Sequence, residues 1–342
     1  MNNKQRKEFW NTLCSLEGND IQNDQKLLRD KIIFPRYLYR YRDVTFSNLE
    51  ALRTNYLYFS SANYYDDPFD TFLHIDIEKI RTEFESNFSN EENICRLANA
   101  MKSIIENCTV QPPTEFVSLV SNPQKLKELY QNGLTNEFLS NALKLRNELR
   151  KNTWSICFCE NGLNETLWLK YANQYKGFAL IYDLDNTENF HCGKMDKCKN
   201  CGIFNYGTIL YPMYYSDEPY DATNFAKYIM MQIATSQMNV PIPQSIMYEF
   251  GKIAWERERT TLIKKKCHQY DEEWRIITNC QMKPPIMMEW IPDGIILGLR
   301  MSQAEENLVI SLAKQAGIKK IYKSLIDKTN KLDAYLIPEE HM

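Results

Sequence analysis

The sequence predicts an α+β protein with a twisted mixed sheet at its core and one helical insertion. Three observations predict this class. The stretch "YLYRYR", residues 37–42, alternates aromatic or aliphatic side chains with charged ones, which is the period of a half-buried strand. Residues 79–150 instead carry apolar side chains at helical spacing. Strand-like stretches such as "TWSICFCE" and "KGFALIYDL" return after residue 150, so the helices interrupt a sheet rather than replace it.

These patterns divide the chain into four parts. Residues 1–35 are predicted to form a helical lead-in. Residues 36–78 and 151–342 form the predicted α+β core, and residues 79–150 form the helical insertion. We expect the insertion to pack as a unit and to contribute no strand to the sheet. A loop rich in cysteine and lysine, residues 188–205, lies within the core.

Local signals place individual elements. Ser47 is a predicted N-cap of the short helix that follows it. The stretch "ETLWLKYANQY", residues 165–175, is predicted to be helical throughout. Gly317 is predicted to end the last helix, because glycine adopts the left-handed conformation at helix ends without steric cost. A further strand is predicted in "EWRIITNC", residues 273–280.

The composition indicates the class of protein. Of the 342 residues 44% are hydrophobic and 25% are charged, which is typical of a globular protein with an ample core. The net charge of −3 provides no basic field that would attract nucleic acid or an anionic membrane. No apolar run approaches the ~20 residues that cross a bilayer, and no secretory signal precedes the first helix. We therefore expect a cytoplasmic protein with no membrane partner and with reduced or metal-bound cysteines.

Two common kinds of active site are disfavoured. The chain has 11 glycines and no GxGxxG or P-loop motif, so a conventional dinucleotide or P-loop site is not expected. It has four histidines and no GxSxG motif, so a serine hydrolase is not expected.

The acidic stretch "YDEEWRII" contains the first candidate site. A regular strand that begins near Asp271 would place Asp271, Glu273 and Arg275 on one face, because side chains alternate with a period of two. One interpretation is an exposed strand face with a local ion pair. The other is a pair of carboxylates at the edge of an active site.

Several motifs resemble those of a bacterial family of uncharacterised proteins, domain of unknown function family 2971. The motifs are "DPFD", "WLKYA" and "EEWR", which occur in the family's order with the expected strands between them. The resemblance extends from residue 37 to about residue 316. The order of these parts is in turn similar to that of the ADP-ribosyltransferase superfamily, which implies an ADP-ribosyltransferase-like fold and NAD as the substrate.

The resemblance to the ADP-ribosyltransferases implies roles for particular residues. Arg40 takes the place of the first-strand residue, Tyr171 or Ser60 the middle place, and Glu273 the place of the catalytic glutamate, with Asp271 as its paired acid. Tyr39, Tyr41, Trp168 and Arg275 are assigned to the same NAD site.

The chemistry gives these residue types a reason. Cleavage of the nicotinamide–ribose bond passes through an oxocarbenium-like centre, which the Glu273 carboxylate would stabilise. The planar fork of Arg40 would hold phosphate oxygens, and Tyr171 or Trp168 would stack on the nicotinamide ring. The resemblance thus implies NAD-dependent ADP-ribosyl transfer or NAD cleavage, in a bacterial toxin or phage-defence setting. The acceptor, protein or nucleic acid, stays open.

A second candidate site is a metal site in the stretch "FHCGKMDKCKNCGI". Cys198 and Cys201 have the CxxC spacing that suits one tetrahedral zinc, and Cys192 and His191 lie close by in sequence. The alternatives for the fourth ligand are His191 and a distant residue, Cys267 or His268. Together with the lysines 264–266, this loop suggests the rival function, a zinc-stabilised module that binds nucleic acid or a protein partner without catalysis.

Overall fold

The computed structural model of the protein describes residues 1–106, 113–129, 135–185, 190–191, 210–237, 253–279 and 287–338. The α-helices are α1 Asn3–Ser15, α2 Ile21–Arg29, α3 Phe46–Thr54, α4 Ile77–Ser89, α5 Glu91–Glu106, α6 Thr114–Val120, α7 Pro123–Leu129, α8 Thr135–Asn152, α9 Glu165–Lys170, α10 Thr223–Gln237, α11 Glu256–Thr261 and α12 Gln303–Gln315. Two 3-10 helices cover Ala62–Tyr64 and Lys266–Asp271. The strands are β1 Tyr37–Arg42, β2 Tyr56–Tyr58, β3 Ser60–Ser61, β4 Thr153–Cys159, β5 Phe178–Asp183, β6 Phe190–His191, β7 Leu210–Pro212, β8 Tyr214–Tyr215, β9 Ile263–Lys264, β10 Glu273–Asn279, β11 Met287–Trp290, β12 Gly294–Leu297, β13 Lys320–Ile326 and β14 Leu332–Leu336.

The central element is a mixed sheet, which confirms the predicted α+β class with a mixed sheet. Its strand order is β14-β13-β12-β5-β1-β4-β10-β7, and β3 also pairs with β4. The β12–β13 pair is parallel, whereas the β5–β1 and β4–β10 pairs are antiparallel. β1 and β4 are joined only at Tyr39 and Cys159, and β3 pairs with β4 further along, at Ser155. The sheet is therefore split between β1 and β4.

The strand register defines two faces of the sheet. Tyr39, Cys159 and Glu273 lie opposite one another on β1, β4 and β10, so their side chains share one face. We call this the tyrosine face. The other is the core face, which carries Phe158 and Trp274. Candidate residues on opposite faces are separated by the sheet, so only those that share a face lie close together.

The main hydrophobic core lies on the core face. There α1 contributes Phe9 and Leu13, and α12 contributes Val309 and Ala313, all of them fully buried. Burial of a side chain the size of Phe9 or Leu13 contributes about 1.5–3 kcal/mol. The lead-in helix α1 is thus part of the core.

In the stretch from residue 79 to 150 the described residues form helices α4 to α8 with short connections between them, and none of them forms a strand. Helices α5, α6 and α7 bury a small cluster of their own. Its buried members are Ile94, Ala98, Val120 and Leu126. Helix α8 runs directly into β4, so the insertion is anchored to the central sheet at its C-terminal end.

Three local expectations have different outcomes. Gly317 has φ +83° just after α12, as predicted for a helix end. The N-cap of α3 is Thr45, whose hydroxyl accepts from the backbone N–H of Asn48, so the assignment to Ser47 was wrong. Helix α9 ends at Lys170 rather than continuing to residue 175.

Helix α9 ends early because the chain turns to meet the loop before α12. Asn173, Gln174 and Tyr175 all have positive φ, which side chains other than glycine rarely adopt. The carbonyl of Tyr175 then accepts from the N–H of Arg300 at 3.0 Å. This tertiary hydrogen bond replaces the next helical turn. Among the described residues, no helix is both long and apolar enough to cross a membrane.

Candidate functional site

A cluster of five charged side chains is buried on the tyrosine face, at the start of β10. Arg275 donates from Nε to Glu273 at 2.6 Å and from Nη1 to Asp70 at 2.7 Å. Lys264 donates from Nζ to Asp271 at 2.7 Å and to Glu273 at 3.0 Å. All five residues are buried. Three carboxylates and two cations leave a formal charge of −1, so the cluster is nearly neutralised from within.

Asp271 does not reach this cluster by strand alternation. It is the last residue of the 3-10 helix Lys266–Asp271, and the strand begins only at Glu273. Between them Glu272 adopts the left-handed conformation, with φ 44° and ψ 43°. The strand predicted in "EWRIITNC" is confirmed, but it does not begin near Asp271, so the condition for placing Asp271 on its face by alternation is not met. The two carboxylates nevertheless meet, because Lys264 binds both.

The ion pairs decide the protonation of the cluster. Burial by itself would raise the pKa of Glu273, yet Arg275 and Lys264 hold it well below its usual range. Burial likewise opposes the charge on Lys264 and Arg275, but the carboxylates around them raise the pKa of both. Glu273 is thus ionised and already compensated by two cations. It is not a free carboxylate aimed into a cleft, as the sequence suggested.

Tyr171 is the predicted site residue that lies beside this cluster. It follows α9 and is 38% exposed. Its pKa is raised by burial, and the charges of Lys264, Asp271 and Glu273 also act on it. The structure therefore brings together Tyr171, Asp271, Glu273 and Arg275.

Arg40 does not join this group. It alternates with Tyr39 along β1, so its side chain leaves the sheet on the core face, beside Leu180 and Tyr182. The predicted meeting of Arg40 with Glu273 was therefore wrong. The reason is the register of three strands that are distant in sequence, which no local pattern reveals.

Arg40 is buried instead beside Arg42, a half-buried cation two residues further along β1. Nη2 of Arg40 donates to the carbonyl of Tyr58 at 3.3 Å, and its Nε has no hydrogen-bond partner. Arg42 donates to the carbonyl of Tyr41 at 2.9 Å. No ion pair within the described part of the chain involves either guanidinium. Both line a cavity of about 20 Å³ with Asn48 and Tyr182.

Burial lowers the pKa of Arg40. Burial and the nearby positive charge of Arg40 together lower the pKa of Arg42 to about 9. The cause in both cases is the removal of a cation from water without a carboxylate nearby to compensate it. A cavity with two such groups is suited to bind an anion.

Two residues assigned to the NAD site, Tyr41 and the predicted stacking residue Trp168, belong to the core. Trp168 is fully buried, and its Nε1 donates to the carbonyl of Gly162 at 3.0 Å. Tyr41 packs edge-on against the Trp168 ring, at 5.2 Å between centroids, and donates to the carbonyl of Asn161 at 2.6 Å. Neither ring is free to stack on a ligand, so both assignments were wrong. Ser60 is exposed on β3 and lies opposite Ser155 of β4.

Tyr39 lies in a different place, a cleft of about 670 Å³ at the end of the sheet where β1 begins and β4 ends. The predicted NAD residues are thus distributed over three locations: the buried cluster, the cavity beside Arg40 and this cleft.

The predicted zinc ligands Cys192, Cys198 and Cys201 lie outside the described residues. His191 is the last residue of β6 and pairs with Glu289, but its side chain is not described. The residues that the structure does describe contain no group of three or more His, Cys, Asp or Glu side chains placed to hold a metal ion.

Sequence reasoning missed three residues that matter here. Arg42 had a visible signal, because it shares the period-two face of Arg40. Asp70 lies within the quoted "DPFD" motif, but its pairing with Arg275 needs the tertiary fold. Lys264 was considered only as one of the lysines 264–266 of the rival binding function, whereas the structure buries it among three carboxylates.

Comparison with protein-family models, with curated proteins and with solved structures gave no significant match for this chain. The family resemblance drawn from the motifs therefore stays a prediction.

Proposed function

We propose that the protein binds a phosphate-bearing ligand through Arg40 and Arg42, and that NAD is the first candidate. The observation that supports the proposal is the buried guanidinium of Arg40 beside the half-buried one of Arg42, neither with a carboxylate partner in the described part of the chain. A buried cation left uncompensated costs several kcal/mol, by order of magnitude, so a protein gains by placing an anion beside it. Two planar guanidinium forks suit phosphate oxygens in particular.

The size of the cavity limits how such a ligand enters. About 20 Å³ is room for roughly one water-sized group, hence for a single phosphoryl oxygen. The ring and ribose of a nucleotide must lie outside it, towards the split between β1 and β4. NAD is preferred over other phosphates because of the motif resemblance, which also carries the proposal of an ADP-ribosyltransferase-like fold.

NAD cleavage or ADP-ribosyl transfer goes beyond the binding of phosphate in this proposal. It requires the ribose of NAD to reach the opposite face of the sheet through the split between β1 and β4, because Glu273 and Arg40 lie on different faces. It also requires Glu273 to exchange Lys264 or Arg275 for that ribose, since its two oxygens now bind those cations. The rival zinc-stabilised binding module rests on residues outside the described ranges, and no contact in the described part of the chain favours it.

The test is calorimetric titration of the protein with NAD, ADP-ribose and pyrophosphate. Arg40→Met and Arg42→Met should weaken binding of all three by about 10- to 150-fold, the range for loss of a charged hydrogen bond. Arg53→Met is the matched control, because Arg53 is exposed and pairs with Glu50 on α3. Arg40→Lys keeps the charge but loses the fork, and it should restore part of the affinity.

Two results separate binding from catalysis. Equal affinity of the wild type and Arg40→Met, with both folded, would remove the proposed site. Consumption of NAD by the wild type and its loss in Glu273→Gln would support the enzyme. Binding without consumption would restrict the protein to recognition.

A further inference from the structure

The cleft at the end of the sheet has its own chemistry, independent of the arginine cavity. Its wall consists of strands β1, β5, β12, β13 and β14 on the tyrosine face. At about 670 Å³ it has the size of a small-molecule site.

Three tyrosine rings face this space. Tyr37 and Tyr39 alternate along β1 onto the same face. Tyr322 of β13 lies on that face too. The strand register aligns Tyr41, Ala179, Ile296 and Tyr322 in one row across β1, β5, β12 and β13, and residues in one row share a face. Burial raises the pKa of Tyr39, and Tyr37 and Tyr322 are close enough to raise it further. The three rings are therefore near one another and half-buried. The Arg36 guanidinium already lies over the Tyr37 ring, 5.0 Å from its centroid, so the proposal rests chiefly on Tyr39 and Tyr322.

The charges at the rim favour a cation. Glu272 lines the cleft, and no ion pair within the described ranges involves it. Asp293 also lines the cleft and accepts from the backbone N–H of Asp183 at 2.8 Å. Asp333 borders the cleft too, but the register of β14 turns its side chain to the face opposite Tyr322. Glu160 also lines the cleft, but Arg6 and the amino group of Met1 already neutralise that carboxylate. Lys320 is the one lysine of the described lining, so negative charge predominates at the rim.

Small residues shape the wall between the rings. At Gly294 a Cβ atom would lie 3.2 Å from the Cδ1 of Ile181 and 3.0 Å from the carbonyl of Lys320. At Gly162 it would lie 2.4 Å from the ring of Tyr39. Glycine at position 162 thus lets the Tyr39 ring lie flat against the loop before α9.

We infer that this cleft binds a small organic cation carrying an alkylated ammonium group. Aromatic faces attract such cations through their quadrupole, and an alkylated ammonium loses less hydration on entering than a primary amine does. The carboxylates at the rim add a longer-range attraction that salt weakens. A diphosphate is disfavoured here for the same electrostatic reason.

The probe is choline, compared with its neutral isostere in which a tert-butyl group replaces the trimethylammonium group. We expect saturable binding of choline by NMR titration, and much weaker binding of the isostere. Tyr322→Leu should weaken choline binding on the order of 5- to 30-fold, whereas Tyr322→Phe keeps the aromatic face and most of the affinity.

Two further variants keep the test clear of folding effects. Glu272→Gln removes a carboxylate of the lining and should weaken choline binding at low salt, with the difference disappearing at high salt. Tyr335→Leu is the control, because Tyr335 lies opposite Lys323 and so projects away from the cleft. Equal affinity for choline and its neutral isostere, or no saturable binding of choline, would overturn the inference. Arg40→Met should leave choline binding unchanged, so this result is independent of the phosphate proposal.

Discussion

Replacement of Arg275 by methionine tests whether the buried charge cluster stabilises the fold. The Arg275 side chain is 1% exposed, and it donates to Glu273, to both oxygens of Asp70 and to the carbonyl of Thr261. Methionine has a similar length and fills most of the same space, so the change removes the charge and its hydrogen bonds without leaving a large cavity.

The expected loss follows from what stays behind. Without Arg275, Asp70 keeps Thr71 at 3.1 Å and the ammonium of Lys264 at 3.7 Å, and Glu273 keeps Lys264 as its one remaining cation in the cluster. Removal of one partner from a buried ion pair typically costs about 3–5 kcal/mol, because the remaining charge is left uncompensated. We expect the free energy of unfolding of Arg275→Met to fall by that amount.

Arg53→Met is the control for burial. Arg53 contacts Glu50 at 2.6 Å, the same distance as Arg275 to Glu273, but both residues of the Arg53–Glu50 pair are exposed. Its loss should cost about 0.5 kcal/mol or less. The assay is urea unfolding followed by circular dichroism, with the midpoint and slope compared between variants.

The double variant Asp70→Asn with Arg275→Met refines the test. It removes both members of the closest pair, so it should lose less stability than the sum of the two single changes, by about 1–3 kcal/mol. If Arg275→Met unfolded within about 1 kcal/mol of the wild type, or matched Arg53→Met, the reasoning about burial would be refuted.

Two further predictions concern acid and metal. The folded pKa of Glu273 lies below its unfolded value, so its contribution to stability is complete above about pH 4.3 and is lost as the pH falls below that. Urea midpoints between pH 6 and pH 3 should therefore fall more steeply for the wild type than for Glu273→Gln, and parallel profiles would contradict this. For the metal, purification without chelator should yield about one zinc per chain, and Cys198→Ser or Cys201→Ser should reduce it. Elemental analysis that finds no zinc in the wild type would remove the site.

The sequence determined the elements whose signal is local. The alternation of "YLYRYR" predicted β1, and the apolar run of "TWSICFCE" predicted β4. The helical spacing after residue 79 predicted the helices α4 to α8. Gly317 marked a helix end because its left-handed conformation depends on one residue. These features follow from neighbours a few residues apart, which is the range over which periodicity acts.

The tertiary structure alone decided which side chains of these elements meet. The pairing of Tyr39 with Cys159, and of Cys159 with Glu273, placed Arg40 on the face opposite Glu273. Burial converted Lys264 from a member of a lysine run into the partner of Asp271 and Glu273. Register and burial are set by contacts between segments that lie more than a hundred residues apart in sequence, such as β1, β4 and β10. A residue type and its spacing can therefore predict a strand or a helix, but not the face or the neighbours that give a charged side chain its role.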